Sequence, residues 1–257
     1  MSILRIQFAA AALVATFATQ THAASLVTFG NPWEERATVV AAMDLAFGSG
    51  GWTDRDSPAD SGFLASESFL YMEGGDGTTN EMESFLNAQS ASILNWVSGG
   101  GRLLINAAPN QGDGLSFGGL TLNYLTSIQK YCESLCTPVD PSSAMFTGIT
   151  TASFGGNYFS HGTVSGGTTE YIRNESGESL LSSIGLGAGA IFMGTMTTTN
   201  FHSVFGSEAL QLRANILEFA ATGTVDPVPE VPLPAAGWML LAGLAGLAGM
   251  ARRKQAA

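Results

Sequence analysis

Two short polar clusters follow apolar runs closely enough that chain reversals could gather their side chains. Glu73 and Asp76 come behind Ser68–Met72, while Asn106, Asn110 and Asp113 close and follow the run that starts at Arg102. Paired carboxylates can divide acid and base roles when their surroundings hold their pKa values apart. His202 adds a further titratable group, one of three histidines in the chain. Yet the two acids lie in the Gly-rich stretch Glu73-Gly-Gly-Asp-Gly77, where such residues more often serve turns and helix starts. No nucleophile is evident either: the one Gly-x-Ser-x-Gly spacing, Gly114-Leu-Ser-Phe-Gly118, lies among short apolar pieces and not on a strand-to-helix elbow, and without a nucleophile His202 has nothing to activate. The expectation is a ligand crevice built from Glu73, Asp76, Asn106, Asn110, Asp113 and His202, with no catalytic residue, no cofactor and no metal. A carboxylate- or metal-dependent hydrolase acting on surface polymers is the alternative.

The remaining candidates have structural readings. Cys132 and Cys136 are the two cysteines of the chain. Their spacing of three intervening residues is not the Cys-x-x-Cys of redox sites, and zinc would need more ligands than the neighbourhood offers. Outside the cytoplasm they should form a local disulfide. Asp54, Asp56 and Asp60 do not follow the alternating oxygen pattern of a calcium loop, so they read as a solvated loop. His161, between Ser160 and Gly162, reads as a surface loop residue.

Stepping outward from these residues, the sequence supplies elements to hold them. Ser25–Phe29 reads as a strand and Trp33–Phe47 as a helix stopped by Gly48. Ser68–Met72 reads as a buried strand. Thr78 and Glu81 have capping-box spacing before the apolar positions Met82, Phe85, Leu86, Ile93 and Val97, read as one helix closed by Gly99. Arg102–Asn106 resumes as a strand, which makes a βαβ unit with parallel strands. The polar clusters would then fall beyond the carboxyl ends of strands, where open α/β sheets place ligands. Residues 115–165 read as an insertion or as a set of short strands at one edge of the sheet. Strands at Thr168–Arg173, Ser179–Ile184 and Ala190–Met196 follow, with Gly185–Gly189 as a turn. Glu208–Ala221 is the final helix.

Both ends of the chain look like targeting segments. Arg5, the apolar stretch Ile6–Phe17 and the small-residue site Thr21-His22-Ala23 form a signal peptide over residues 1–23, cleaved between Ala23 and Ala24. An α/β domain at 25–221 is followed by a Pro-rich linker at 222–234. Val231, Pro232, Leu233, Pro234 and Ala235 then open a tail at 231–257. Its uncharged stretch 235–251 has the minimum length for a membrane helix, and the basic stop Arg252, Arg253 and Lys254 should stay cytoplasmic. The chain holds 10 Lys+Arg against 21 Asp+Glu. Arg5, Arg252, Arg253 and Lys254 belong to the ends, so the body is still more acidic and should not seek nucleic acid.

The tail resembles the sorting signals of the PEP-CTERM group, in the subtype whose motif reads Val-Pro-Leu-Pro-Ala. That resemblance implies an exosortase-type transpeptidase as partner beside signal peptidase, removal of the membrane helix, and passage from the inner membrane to the cell surface or matrix. The body resembles the class I glutamine amidotransferase-like fold, an α/β, flavodoxin-like doubly wound and mostly parallel sheet. The likeness rests on Phe69–Val97, on Gly99-Gly-Gly-Arg-Leu-Leu-Ile105, and on the glycine-flanked strand ending at Gly194 before Leu212-Arg-Ala-Asn-Ile-Leu-Glu-Phe219. Enzymes of that class carry a nucleophilic Cys directly after a central strand. The matching stretch here, Asn106-Ala-Ala-Pro-Asn110, has neither Cys nor Ser. The resemblance therefore implies a non-catalytic relative; its body is expected to bind a glycan, such as a surface polysaccharide, or another ligand, which the fold alone does not name.

Overall fold

Eleven strands and four helices follow one another in the computed structural model, which describes residues 23–32, 35–109, 114–124, 136–150, 159–199 and 208–223. The first half holds β1 (Ala24–Val27), α1 (Arg36–Phe47), β2 (Trp52–Asp54), β3 (Phe69–Asp76), α2 (Thr79–Ala88), α3 (Ser90–Ser98) and β4 (Arg102–Pro109). Then come β5 (Leu115–Phe117), β6 (Leu120–Tyr124), β7 (Thr137–Pro138), β8 (Gly162–Ser165), β9 (Thr169–Arg173), β10 (Ser179–Leu186), β11 (Gly189–Gly194) and α4 (Glu208–Thr222).

The result is a mixed α/β fold around a large, mostly parallel sheet. Its eight strands run β2-β1-β3-β4-β11-β10-β9-β7; the pairs from β2 through β11 are parallel and the remaining three antiparallel. Side chains alternate across a strand, so each apolar run feeds two cores. Leu26, Phe69, Tyr71, Leu104 and Phe192 pack with α1 and α4 on one face. Val27, Leu70, Met72, Leu103, Ile105 and Ile191 pack with α2 and α3 on the other. Burial on both faces explains why these strands read as continuous apolar runs rather than alternating ones.

Several boundaries differ from the sequence reading, each for a local reason. β3 and β4 run on past Met72 and Asn106, because Glu73 through Asp76 pair in register with Asn106 through Pro109. A ladder partner on each side overrides the turn propensity of Gly74 and Gly75. The long helix is two helices, broken at Gln89, whose φ of −105° and ψ of 9° leave the helical region. The capping box does not form: the Thr78 hydroxyl exchanges bonds with the backbone of Gly75 instead of with Glu81. β2, in the stretch read as a loop, pairs with β1 through only three residues. Such a short, polar edge strand has no apolar run to announce it. Residues read as edge strands build a separate antiparallel sheet, β5-β6-β8, whose Leu115, Leu120, Leu122 and Val164 join the core of α2 and α3.

His161 is buried, not a surface loop residue; its amide donates to the Thr195 carbonyl at 3.2 Å, beside the bridge between Ser160 and Met196. Cys136 is buried and disulfide-bonded, while Cys132 lies outside the described residues. The Ala23 carbonyl accepts from the amides of Ser68 and Phe69, so the proposed cleavage boundary falls where β1 begins. Among the described residues no helix is long and apolar enough to cross a membrane. Thr222, read as the start of the linker, is the last residue of α4; the leader up to His22, residues 224–234 of the linker and the sorting tail, with Val231–Ala235, the span 235–251 and Arg252–Lys254, lie outside the described residues.

The turn between β10 and β11 is set by close backbone approach. A Cβ on Gly189 would stand 2.0 Å from the Gly101 carbonyl oxygen and 2.2 Å from that of Val97. Neither neighbour is a side chain that can swing aside. Gly189→Ala should therefore lower stability by about 1–3 kcal/mol, the usual cost of overpacking, measured as a lower urea midpoint.

Candidate functional site

The polar residues that the fold gathers lie where β3, β4 and β11 end. Glu73 and Asn106 face each other in the β3–β4 ladder, inside strands and not in loops beyond them. Glu73 is fully buried and Asn106 is 1% exposed. Alternation brings Tyr71, two residues before Glu73, to the same face. From the opposite layer α4 contributes Arg213, 4% exposed.

These four side chains saturate one another. Arg213 Nη1 donates to Glu73 Oε2 at 2.8 Å and to the Tyr71 hydroxyl at 2.6 Å, and its Nη2 donates to the Thr197 carbonyl at 2.7 Å. The Tyr71 hydroxyl donates to Glu73 Oε2. Asn106 Nδ2 reaches both carboxylate oxygens of Glu73 at 2.9 Å and the Met196 carbonyl at 2.7 Å. Its Oδ1 accepts the Met196 amide at 3.1 Å. A buried ion pair is tolerated when further hydrogen bonds satisfy its polar atoms, and here both Glu73 oxygens and both terminal nitrogens of Arg213 are bonded.

Electrostatics follow from that enclosure. Burial pushes the Glu73 carboxyl above the usual carboxylate range, while Arg213, Tyr71 and Asn106 pull it down. Burial also raises the Tyr71 phenol well above its ordinary range, opposed by Arg213 and aided by Glu73. Burial works against the charge on Arg213, but Tyr71 and Glu73 outweigh it and raise the guanidinium pKa. A general base needs an accessible lone pair aimed at substrate. Both oxygens of Glu73 are occupied by protein donors, so the cluster acts as a structural node.

Of the six crevice candidates, then, the fold joins Glu73 to Asn106 and buries both. Asp76 continues β3, its backbone paired with Pro109; its side chain is outside the described residues, as are Asn110, Asp113 and His202. Among the described residues no group of three or more His, Cys, Asp or Glu could hold a metal ion. Tyr71 and Arg213 are the members that sequence reasoning passed over. A signal for Arg213 did exist: it is the only cation of a helix whose pattern Leu210, Leu212, Ala214, Ile216 and Leu217 reads as well covered, and a covered arginine calls for a buried acceptor.

Arg213→Leu leaves a buried carboxylate without its cation and should cost about 3–5 kcal/mol of unfolding free energy. Replacing both partners, in E73L/R213L, should cost far less than that in the same denaturant titration. The pH dependence has a definite sign. Because the folded-state pKa of Glu73 is raised, its contribution is complete below the usual carboxylate range and is lost as pH rises through the folded value. The stability of the wild type relative to E73Q should accordingly fall as pH is raised out of that range. A relative stability that grows over the same titration would contradict it.

The sequence matches no protein-family model and no curated protein. The fold is similar to that of a cytoplasmic protein from Salmonella typhimurium, with a TM-score of 0.51 and 12% identity over 77% of this chain and 98% of that one. It also aligns with a β-galactosidase from Rahnella sp. R3, at a TM-score of 0.45 and 14% identity over 83% of this chain. An exo-β-1,4-mannosidase from the Opitutaceae bacterium strain TAV5 aligns at 0.44 and 14% over 79% of this chain. This chain spans 33% and 36% of those two enzymes. At such identities the Salmonella likeness concerns the fold alone, and the two enzymes carry no argument.

Proposed function

We propose that this chain is an exported, non-catalytic protein of the cell surface or extracellular matrix, whose body binds a glycan. The observation that carries the non-catalytic reading is the saturation of Glu73. The acid best placed for chemistry has both oxygens bonded to Arg213, Tyr71 and Asn106, and the strand end behind Asn106 reads Ala-Ala-Pro, with no nucleophile. The hydrolase alternative loses its principal carboxylate by the same contacts.

The body is read as flavodoxin-like and related to the class I glutamine amidotransferase-like fold. In support, the order β2-β1-β3-β4-β11 corresponds to the 2-1-3-4-5 order of that doubly wound class. Ligands of such sheets bind beyond the carboxyl ends where the chain reverses its direction of growth, which here falls between β1 and β3. A surface polysaccharide suits an acidic, exported body through hydroxyl hydrogen bonds that need no basic patch. Signal peptidase and an exosortase-type transpeptidase are the processing partners, with the membrane engaged only through the tail.

The test uses protein recovered from its host. Intact mass should end near Pro234 or Ala235, and the same material should co-sediment with host surface polysaccharide without releasing new reducing ends. Release of reducing ends that E73Q abolishes would make the chain a hydrolase. A mass retaining Arg252 to Ala257 would make the tail a plain anchor.

A further inference from the structure

Buried apolar residues recur along helix α4 at a spacing of four. Ala209, Arg213, Leu217 and Ala221 recur every four residues and are all buried. So do Leu212, Ile216 and Ala220. Residues four apart lie one above another on a helix, so a shift of one turn, about 5.4 Å, places apolar side chains where apolar side chains were. The exception in the first row is Arg213. Its slot is chemically unlike the others, closed by Glu73, the Tyr71 hydroxyl and the Thr197 carbonyl. A second marker on the same helix is Asn215, whose Nδ2 donates to the carbonyls of Met145 at 3.1 Å and Thr147 at 2.8 Å.

We infer that the Arg213–Glu73 pair, seconded by Asn215, is a register lock that selects one axial setting of α4 among apolar alternatives. A slip by one turn leaves Arg213 facing an apolar slot and Glu73 facing an aliphatic side chain. Each misplaced charge is then buried without a partner, and the slipped state is excluded by that penalty rather than by better packing of the native one. The inference does not rest on the proposed function.

The lock is tested by distances between nitroxide labels. One pair joins Thr222 on α4 to Asn87 on α2, and a second joins Thr222 to Thr53 on β2, so that an axial shift perpendicular to one vector is caught by the other. Cys136 is disulfide-bonded and does not take a thiol label. The wild-type background should give one narrow distance for each pair. E73L/R213L, and more so E73L/R213L/N215L, should add a second population displaced by up to about 5 Å. E73M/R213M, with more adaptable side chains, should behave like the leucine pair. Single narrow distances at the wild-type values in all three variants would overturn the inference. So would failure of both two-site variants to fold, which would make the pair a requirement of stability and not of register.

Discussion

The buried contact between Arg213 and Glu73 is the constraint on which the arrangement of the layers depends. It joins the last helix to the middle of the sheet, and through Asn106 it reaches the backbone at Met196. Two strands, β3 and β4, and one helix therefore meet at a single carboxylate. In a medium of low polarizability neither charge tolerates separation, which ties these elements to one another. The apolar cores on either side of the sheet provide the driving force, but a driving force without direction does not choose among similar packings.

The same contact decides how the chemistry of the chain is read. An acid at the end of a central parallel strand is the first place to look for catalysis in an open α/β sheet. Here that acid is enclosed by a guanidinium, a phenol and a carboxamide, and it holds structure together. The parallel part of the sheet is flanked by an antiparallel extension, β10-β9-β7, and by a small second sheet, β5-β6-β8, which packs on the face of α2 and α3. Both additions come from Gly- and Ser-rich sequence whose short apolar pieces gain their burial only from the larger sheet.

Local pattern and long-range pairing explain what could be foreseen. The apolar runs at Leu26, Phe69–Met72, Leu103–Ile105 and Ile191–Met193, and the final helix, were legible because a run buried on both faces leaves no polar interruption. The extension of β3 through Asp76 was not, because Gly74, Gly75 and Asp76 favour turns until a neighbouring strand offers ladder bonds. The break at Gln89 was hidden as well: apolar positions on either side keep helical spacing across it.

By itself, the sequence determined the mixed α/β class of the fold, the position of most strands and helices, the acidic balance of the chain, and the lack of Cys or Ser in Asn106-Ala-Ala-Pro-Asn110. These depend on composition and on periodicities of a few residues, which the chain carries locally. Only the tertiary structure decided that Glu73 is a buried structural ion and not a crevice acid, that Arg213 is its partner 140 residues away, and that His161 lies inside. Each of those depends on which side chains the topology brings within hydrogen-bond distance. A charge in sequence has no environment until the chain has folded around it.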